Sequence, residues 1–357
     1  MHSLQELGWN HFFAQQIEPD TTEWFPARVS RQDINQFHLL SAEGSLIGIL
    51  PGRLRREAMS KADLPTVGDW VLVSPISGGE ANTVQIERRL KRKSKFSRQE
   101  AGEIVDEQVV AANIDVVFIV CGLDDDFNPA RIERYLLLCA DRAALAVILL
   151  NKADVCEKLD EYLNILAPVT KDTPVHVVSA TQQQGIEPVR DYIITGTTCA
   201  LLGSSGVGKS TLINALLGED RFATGAVRAG DSKGRHTTTF REMVMIPSGG
   251  LIIDTPGMRE LQVWGDASTL SQNFEDIESL TLQCRFNDCQ HQSEPGCAIQ
   301  AAVVSGSLDG ERLERYRRLE RELARLNAQE DVSVRAERKQ ARRKKSKILR
   351  QHSDKRN

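Results

Sequence analysis

The chain has 357 residues, of which 41 % are hydrophobic, and a formal net charge of −4 at pH 7. A chain of this size and composition can bury the cores of two or three domains, which excludes a disordered or fibrous protein. The longest apolar stretch, Ala143 to Leu150, has eight residues whereas a membrane helix needs about twenty, and the start lacks the layout of a signal peptide.

The first half of the chain is rich in short β-type segments. Residues 1–23 carry no diagnostic pattern and form an N-terminal extension. Within residues 24–100, apolar and β-branched segments are separated by Gly, Pro, Asn and Asp about every ten residues. This spacing predicts a small antiparallel barrel or a sandwich, and the five-stranded oligonucleotide-binding (OB) barrel matches its size. The pattern alone does not separate the two folds.

Two basic runs stand out in an otherwise acidic chain. Arg88 to Arg98 has seven basic residues and no acidic one, and Arg335 to Arg350, inside the basic tail 331–357, has nine basic residues and one acidic one. Each run is either a solvated face or tail, or a surface that binds a polyanion through counterion release. Two such runs in one acidic chain favour the polyanion.

From Ile114 onwards apolar strands alternate with helical segments. This alternation predicts a parallel α/β sheet over residues 104–265, with ligand-binding loops at the carboxyl ends of the strands.

A phosphate-binding loop follows the strand TCALL. The sequence GSSGVGKS fits the G-x4-G-K-S pattern, in which main-chain amides surround phosphates, Lys209 reaches the β and γ oxygens and Ser210 can ligate Mg²⁺. A glycine-rich turn with a surface lysine is the alternative, which the flanking strand and helix disfavour. The predicted residues are Gly203, Ser204, Ser205, Gly206, Val207, Gly208, Lys209, Ser210 and Thr211.

Two further loops predict selection of guanine. Asn151, Lys152, Ala153 and Asp154 follow the strand LAVILL and match the N-K-x-D pattern. The Asp154 carboxylate can accept hydrogen bonds from guanine N1–H and from its amino group, which adenine does not offer. After the next strand come Ser179 and Ala180, where a main-chain amide could meet guanine O6.

The motif D-T-P-G at the end of the strand LIID completes the set. Asp254 would hold the water shell of Mg²⁺, and the Gly257 amide would sense the γ-phosphate. The motifs occur in the order NKAD, SA, phosphate loop and DTPG, whereas the familiar GTPase order starts with the phosphate loop. Since all these loops lie on one edge of the sheet, circular permutation preserves the site. The sequence therefore predicts a circularly permuted GTPase domain.

The residue after the D-T-P-G motif bears on how the attacking water is positioned. Met258 replaces the glutamine of Ras-like proteins, so we expect slow basal hydrolysis. His236 could orient the water while Lys233 or Arg235 meets the charge of the transition state, or His236 could merely contact a partner. The candidate switch threonines for Mg²⁺ are Thr237 and Thr238. The predicted catalytic set is His236, Lys209, Asp254 and Gly257.

Strands disappear after about residue 266, and a Cys/His cluster follows. Three thiolates and one imidazole complete a tetrahedral set for one structural zinc ion, which predicts a helical zinc-binding domain over residues 266–330. Buried free thiols are the alternative, but they fit the polar surroundings poorly. The predicted ligands are Cys284, Cys289, His291 and Cys297. The other four cysteines form no disulfide framework, which favours a reducing cytoplasm.

Taken together, these motifs resemble the RsgA (YjeQ) family of GTPases that depend on the small ribosomal subunit. The resemblance runs from about Trp9 to the tail and includes PTVGDWV at 65–71 and FNPARIERYL at 127–136. It implies an OB barrel, a permuted GTPase domain and a helical zinc domain. It also implies a monomer that acts on the small subunit and its ribosomal RNA late in maturation, with GTP hydrolysis in the presence of Mg²⁺ stimulated by the subunit.

Two other functions stay open at this point. A GTP-regulated RNA-binding module with negligible turnover would show no phosphate release stimulated by the subunit. A P-loop kinase or metabolic ATPase would bind ATP more strongly than GTP, against which the NKAD loop argues.

Overall fold

The computed structural model of the chain describes residues 2–18, 23–34, 36–76, 82–99, 107–140, 144–222, 241–254, 270, 274–292, 294–322 and 324. The elements are α1 (His11–Ala14), β1 (Phe25–Gln32), β2 (Phe37–Ser41), β3 (Gly44–Ile49), α2 (Gly52–Glu57), β4 (Trp70–Pro75), β5 (Thr83–Arg89), β6 (Lys95–Gln99), β7 (Glu107–Ala112), β8 (Val116–Gly122), α3 (Pro129–Ala140), β9 (Leu145–Asn151), α4 (Leu159–Thr170), β10 (Val175–Val177), α5 (Glu187–Arg190), β11 (Thr198–Leu202), α6 (Lys209–Leu217), β12 (Glu242–Met245), β13 (Leu251–Asp254), α7 (Glu275–Thr281) and α8 (Ala298–Ser305). Residues 310–322 are also helical.

The first five strands close into a barrel. Their order is β1-β2-β3-β5-β4, and β4 pairs back onto β1. All neighbours are antiparallel except β3 and β5, which are parallel. Alternate residues point inwards, so that β2 buries Phe37, Leu39 and Ser41 as period-two alternation requires. Closure on β1 excludes the sandwich and confirms the OB-type barrel.

The parallel sheet has the order β10-β9-β8-β11-β13, with β12 antiparallel at the edge beside β13. All seven residues of β8 are buried, as expected for a central strand that is covered on both faces. The predicted alternation of strands and helices is therefore confirmed. Strand β11, which leads into the phosphate loop, lies between β8 and β13 in the centre of the sheet.

The barrel and the parallel sheet share strand pairing. Arg31 of β1 pairs with Glu242 of β12, so the two sheets form one continuous set of eleven strands. The N-terminal extension packs beside this connection, because Leu7 and Phe13 are buried in a cluster with Trp70 of the barrel. The extension, to which the sequence assigned no role, thus has a structural one.

The chain divides into two compact units, Met1–Gln99 with Asp106–Gln262, and Glu100–Val105 with Val263–Asn357. The described part of the second unit contains α7, α8 and the helical residues 310–322, with turns and bends between α7 and α8. Its core includes Ile277 of α7, the preceding Phe274 and Ile299 of α8. Arg312 donates two hydrogen bonds to Asp276, at 2.6 and 2.8 Å. Among the described residues, no helix is both long and apolar enough to cross a bilayer.

Candidate functional site

Five parallel strands end along one edge of the sheet. Their last residues are Gly122, Asn151, Val177, Leu202 and Asp254. Because parallel strands point the same way, the loops that follow them open on the same edge. The NKAD, SA and phosphate loops, which lie far apart in sequence, are therefore brought to one place together with Asp254.

The loop after β11 has the main-chain shape of an anion cradle. Gly208 is the N-cap of α6, with φ at +96° in the left-handed region. It has no side chain to cap the helix, so the first amides of α6 stay available to an anion. A Cβ at Gly208 would lie 2.3 Å from Asn151 Nδ2, and one at Gly203 would lie 2.4 Å from the Val120 carbonyl oxygen. Both positions therefore require glycine.

Lys209, the first residue of α6, folds its side chain back over this loop. Its Nζ donates hydrogen bonds to the carbonyl oxygens of Gly203, at 2.9 Å, and Ser204, at 2.5 Å. The ammonium group is thus held beside the cradle, where its positive charge adds to that of the helix N-terminus. The arrangement suits a polyphosphate.

The side chain of Asn151, in the NKAD loop, hydrogen-bonds to both the phosphate loop and the SA loop. The side chain is 2 % exposed. Its Nδ2 donates to the Val207 carbonyl of the phosphate loop at 2.8 Å, and its Oδ1 accepts from the Ala180 amide at 3.0 Å. One amide side chain, which offers both a donor and an acceptor, therefore fixes the NKAD loop against the other two.

The Asp154 carboxylate is exposed at the end of the NKAD loop. Its Oδ1 accepts a hydrogen bond of 2.6 Å from the hydroxyl of Ser179, which is itself completely buried. This hydrogen bond lowers the pKa of Asp154, because it stabilises the charged form. Asp154 is therefore an ionised acceptor that faces solvent and is held by the neighbouring SA loop.

Asp254 is the last residue of β13, and its carboxylate is buried. The residue is 6 % exposed, and its Oδ2 has no hydrogen-bond partner among the residues that the structure describes. Burial raises the pKa of Asp254 to about 6, although the charge of Lys209 acts in the opposite direction. An orphaned buried carboxylate oxygen beside a phosphate cradle fits the water shell of Mg²⁺, a cation that prefers oxygen ligands and keeps several waters.

Several predicted residues fall outside the described part of the chain, so their roles stay predictions. They are Lys233, Arg235, His236, Thr237, Thr238, Gly257 and Met258.

Sequence reasoning missed two acidic residues at this edge, Asp124 and Asp126, in the loop between β8 and α3. Asp124 accepts a hydrogen bond from Lys152 of the NKAD loop, and Asp126 accepts one from the Ser204 hydroxyl of the phosphate loop. The three consecutive aspartates at 124–126 gave no spacing signal. Only their place at the end of a predicted central strand could have suggested a role.

The Cys/His residues form a compact cluster in the second unit. The sulfur of Cys284 lies 3.5 Å from His291 Nδ1 and 4.0 Å from the sulfur of Cys297. The sulfur of Cys297 lies 3.6 Å from the same nitrogen, and all four ligand atoms, including that of Cys289, lie within 4.8 Å of one another. A tetrahedral zinc ion with bonds of about 2.3 Å to sulfur and about 2.0 Å to nitrogen separates its ligand atoms by about 3.5 to 3.8 Å. The donor set therefore fits zinc.

Comparison with known proteins agrees with this geometry. The RsgA GTPase family model matches residues 89–264, and a model described as a 50S ribosome-binding GTPase matches residues 198–334. The second match begins at β11, so it leaves out the NKAD loop, as the permuted order requires.

Among curated relatives, the small ribosomal subunit biogenesis GTPase RsgA of Opitutus terrae is 45 % identical over an alignment of 345 residues, which covers 94 % of each chain. Among solved structures, YjeQ from Thermotoga maritima has a TM-score of 0.61 at 26 % identity, covering 84 % of this chain and 99 % of that one. YloQ, described as a circularly permuted GTPase, has a TM-score of 0.58 at 20 % identity, covering 86 % of this chain and 98 % of that one.

The fold and the order of the loops define a circularly permuted P-loop GTPase with an N-terminal OB-type barrel. The chain belongs to the RsgA GTPase family, as the resemblance of its motifs implied. Membership in a GTPase family implies Mg²⁺ together with GTP.

Proposed function

We propose that this protein binds the small ribosomal subunit, assists its late maturation, and hydrolyses GTP to GDP and phosphate with stimulation by the subunit. The observation that carries the proposal is the Asn151 side chain, which holds the guanine-type loop against the phosphate loop. The relative that is 45 % identical bears the name of a small-subunit biogenesis GTPase, which supports the choice of partner.

In this proposal, guanine is selected by Asp154. The exposed, ionised carboxylate accepts hydrogen bonds from N1–H and the amino group of the base. The Ala180 amide of the SA loop donates to Asn151 Oδ1 in this structure, so it would exchange that acceptor for O6 when guanine binds. Adenine offers neither donor and would leave the carboxylate without its partners. The remaining residues of the NKAD loop and Ser179 hold Asp154 in position.

The triphosphate occupies the cradle formed by residues 203–211. Lys209 contacts the β and γ oxygens, Ser210 ligates Mg²⁺ and Asp254 holds part of its water shell. When bound, the ion neutralises charge on the β- and γ-phosphates. The amide of Gly257 reads the γ-phosphate, and Thr237 or Thr238 supplies the switch ligand.

For hydrolysis we assign the water-positioning role to His236, with Lys233 or Arg235 available to meet charge in the transition state. Since Met258 cannot orient a water molecule by hydrogen bonding, turnover depends on the subunit. His236→Ala should abolish the stimulated rate and leave GTP affinity unchanged.

The guanine assignment is tested by titration calorimetry with GDP, GTP and ATP. Asp154→Asn should weaken GDP and GTP binding about ten- to a hundred-fold, the loss expected for hydrogen bonds to a charged group. Asp160→Asn, an equal change of charge at an exposed position on α4, is the matched control. Equal GTP affinities of the two variants, or stronger binding of ATP than of GTP, would contradict the assignment.

The ribosomal role is tested by phosphate release with and without purified small subunits. The proposal expects stimulation by small subunits and none by large ones. Release that small subunits do not accelerate would leave instead a GTP-regulated RNA-binding module with negligible turnover.

We further propose that Cys284, Cys289, His291 and Cys297 bind one structural zinc ion, and that the protein works as a monomer in the cytoplasm. No disulfide joins any of the seven cysteines, which suits a reducing compartment. Native mass spectrometry should find one zinc per chain. Cys297→Ser should lose that zinc, and Cys156→Ser, which changes a thiol outside the cluster, should retain it. Less than one equivalent in the unmodified protein would contradict the site.

A further inference from the structure

The loop that joins β8 to α3 touches both halves of the nucleotide site. Lys152 Nζ donates to Asp124 Oδ2 at 2.6 Å, and the hydroxyl of Ser204 donates to Asp126 Oδ2. Lys152 belongs to the NKAD loop and Ser204 to the phosphate loop. Two carboxylates separated by a single residue therefore each hold a different binding loop.

Asp124 contacts the NKAD loop at Lys152, a residue with an unfavourable backbone conformation. Lys152 has φ at +67°, in the left-handed region, which is unfavourable for a residue with a Cβ and persists only where the surroundings enforce it. The ion pair with Asp124 and the hydrogen bond from the Ala153 amide to the Val178 carbonyl, at 3.1 Å, flank this residue. Partial burial alone raises the pKa of Asp124, but the hydrogen bond from Lys152 contributes to a net lowering, so the carboxylate is charged.

The contact with Asp126 is supported from the helix side. Arg131 of α3 forms an ion pair with the Asp126 carboxylate at 2.8 Å and donates a hydrogen bond to its carbonyl oxygen. Asp126 and Asp124 are also connected, because the Asp126 amide donates to Asp124 Oδ1 at 3.1 Å. The loop is thus braced internally and can hold its two partners in a fixed relation.

We propose that Asp124 and Asp126 are positioning residues for nucleotide binding, the first for recognition of the base and the second for the phosphates. Neither contacts the nucleotide. Asp124 fixes Lys152 and thereby the loop that presents Asp154, whereas Asp126 fixes Ser204 and thereby the start of the cradle. The inference rests on the proposed guanine site and specifies which residues outside the motifs set its selectivity.

The two roles predict different changes in ligand preference. Inosine diphosphate lacks the amino group of guanine, so the ratio of its dissociation constant to that of GDP measures base recognition. Guanosine monophosphate lacks the β-phosphate, so its ratio to GDP measures phosphate recognition. Asp124→Asn should lower the first ratio about tenfold and leave the second unchanged, while Asp126→Asn should do the reverse. The first substitution weakens the charge-assisted contact with Lys152, and the second weakens those with Ser204 and Arg131.

Asp125→Asn is the matched control. Asp125 lies between the two positioning residues and is exposed, so the same change of charge should alter neither ratio.

Ser204→Ala is a milder test of the contact between Ser204 and Asp126. If Ser204 and Asp126 act through one hydrogen bond, the double variant Ser204→Ala, Asp126→Asn should be no worse than Asp126→Asn alone.

The outcomes separate this inference from the proposed function. Ratios that match those of Asp125→Asn in both variants would overturn the positioning roles, as would an equal fall of both ratios in each variant, which would indicate general loosening. Asp154→Asn and Lys209→Ala report on the site itself. If those two leave GDP affinity unchanged, the proposed guanine site is wrong; if they weaken GDP binding while the two positioning variants behave like the control, only this inference fails.

Discussion

Two regions of the first unit differ in how their polar groups are hydrogen-bonded. At the nucleotide edge, which we define as Asn151, Asp154, residues 203–211 and Asp254, some groups have no partner among the described residues. Examples are Asp254 Oδ2 and the start of α6, which no side chain caps. At the joint, which we define as Arg28, Asp69, Arg92 and Asn113 where the extension, the barrel and the parallel sheet meet, charged groups are satisfied by the protein itself.

The joint contains one fully buried cation, Arg28, and one partly buried cation, Arg92. Arg28 is 1 % exposed and donates to the carbonyl oxygens of Leu7, of Gly68 at 3.3 Å and of Asn113 at 3.2 Å. Burial lowers the pKa of Arg28 to about 10, so it remains charged at neutral pH. Arg92 forms a two-pronged pair with the completely buried Asp69 through contacts of 2.8 and 2.7 Å.

We expect the joint and the nucleotide edge to contribute differently to the stability of the folded protein. A buried ion pair adds little compared with a well-packed apolar pair, but removal of one partner is costly because the other charge is stranded. The joint is therefore expected to be stable without a ligand and intolerant of substitution. The nucleotide edge is expected to gain its stability on binding.

The largest expected effect follows from breaking the joint. Asp69→Asn strands the guanidinium of Arg92 and should lower the free energy of unfolding by about 3 to 5 kcal/mol. Thermal unfolding followed by tryptophan emission would measure it, since Trp9 and Trp70 stack edge to face with centroids 4.7 Å apart beside the joint. The variant should unfold at a lower temperature whether or not nucleotide is present.

Asp33→Asn is the control, because Asp33 pairs with Arg31 at 3.0 Å on the same barrel but in a more exposed place, where the two side chains are 21 and 33 % exposed. A pair of this kind contributes about 0 to 1 kcal/mol. Equal destabilisation by both substitutions would show that burial does not distinguish the two pairs, and the contrast between the regions would fail.

The same contrast explains what the sequence could predict. The nucleotide edge consists of short motifs at strand ends, where glycine, lysine and aspartate have a fixed spacing, so the positions of Asn151, Lys209 and Asp254 followed from pattern. The five strands of the barrel followed from alternation. Closure did not, because only the pairing of β4 with β1 distinguishes a barrel from a sandwich.

The joint could not be predicted, since its partners are distant in sequence and follow no period. The basic run of residues 88–98 shows the consequence. It suggested a surface for a polyanion, which stays a prediction. Arg92, however, pairs with the buried Asp69, and Lys93 pairs with Asp115 at 2.8 Å. Arg88 likewise bonds to Glu18 in the extension, at 2.6 Å. A count of charges does not reveal which of them are already paired inside the fold.

Ligand binding at the nucleotide edge should change the free energy of unfolding by less than the Asp69→Asn substitution does. GDP with Mg²⁺ at a hundred times its dissociation constant should stabilise the folded state by about 2.7 kcal/mol, by mass action alone. Hydrogen exchange of the amides in β11 and α6 would measure this increment, and removal of the ligand should reverse it.

The increment also tests whether the two regions act separately. Among the described residues, Arg28 and Arg92 bond to the extension, the barrel and Asn113, whereas Asn151, Asp154 and Lys209 bond to the phosphate and SA loops. Distant sites without shared partners add within about 0.5 kcal/mol, so Asp69→Asn protein saturated to the same degree should gain the same increment as the unmodified protein. A gain that differs by more than about 1 kcal/mol would mean that the barrel connection and the nucleotide edge are energetically coupled through the continuous sheet that joins β1 to β12 and β13.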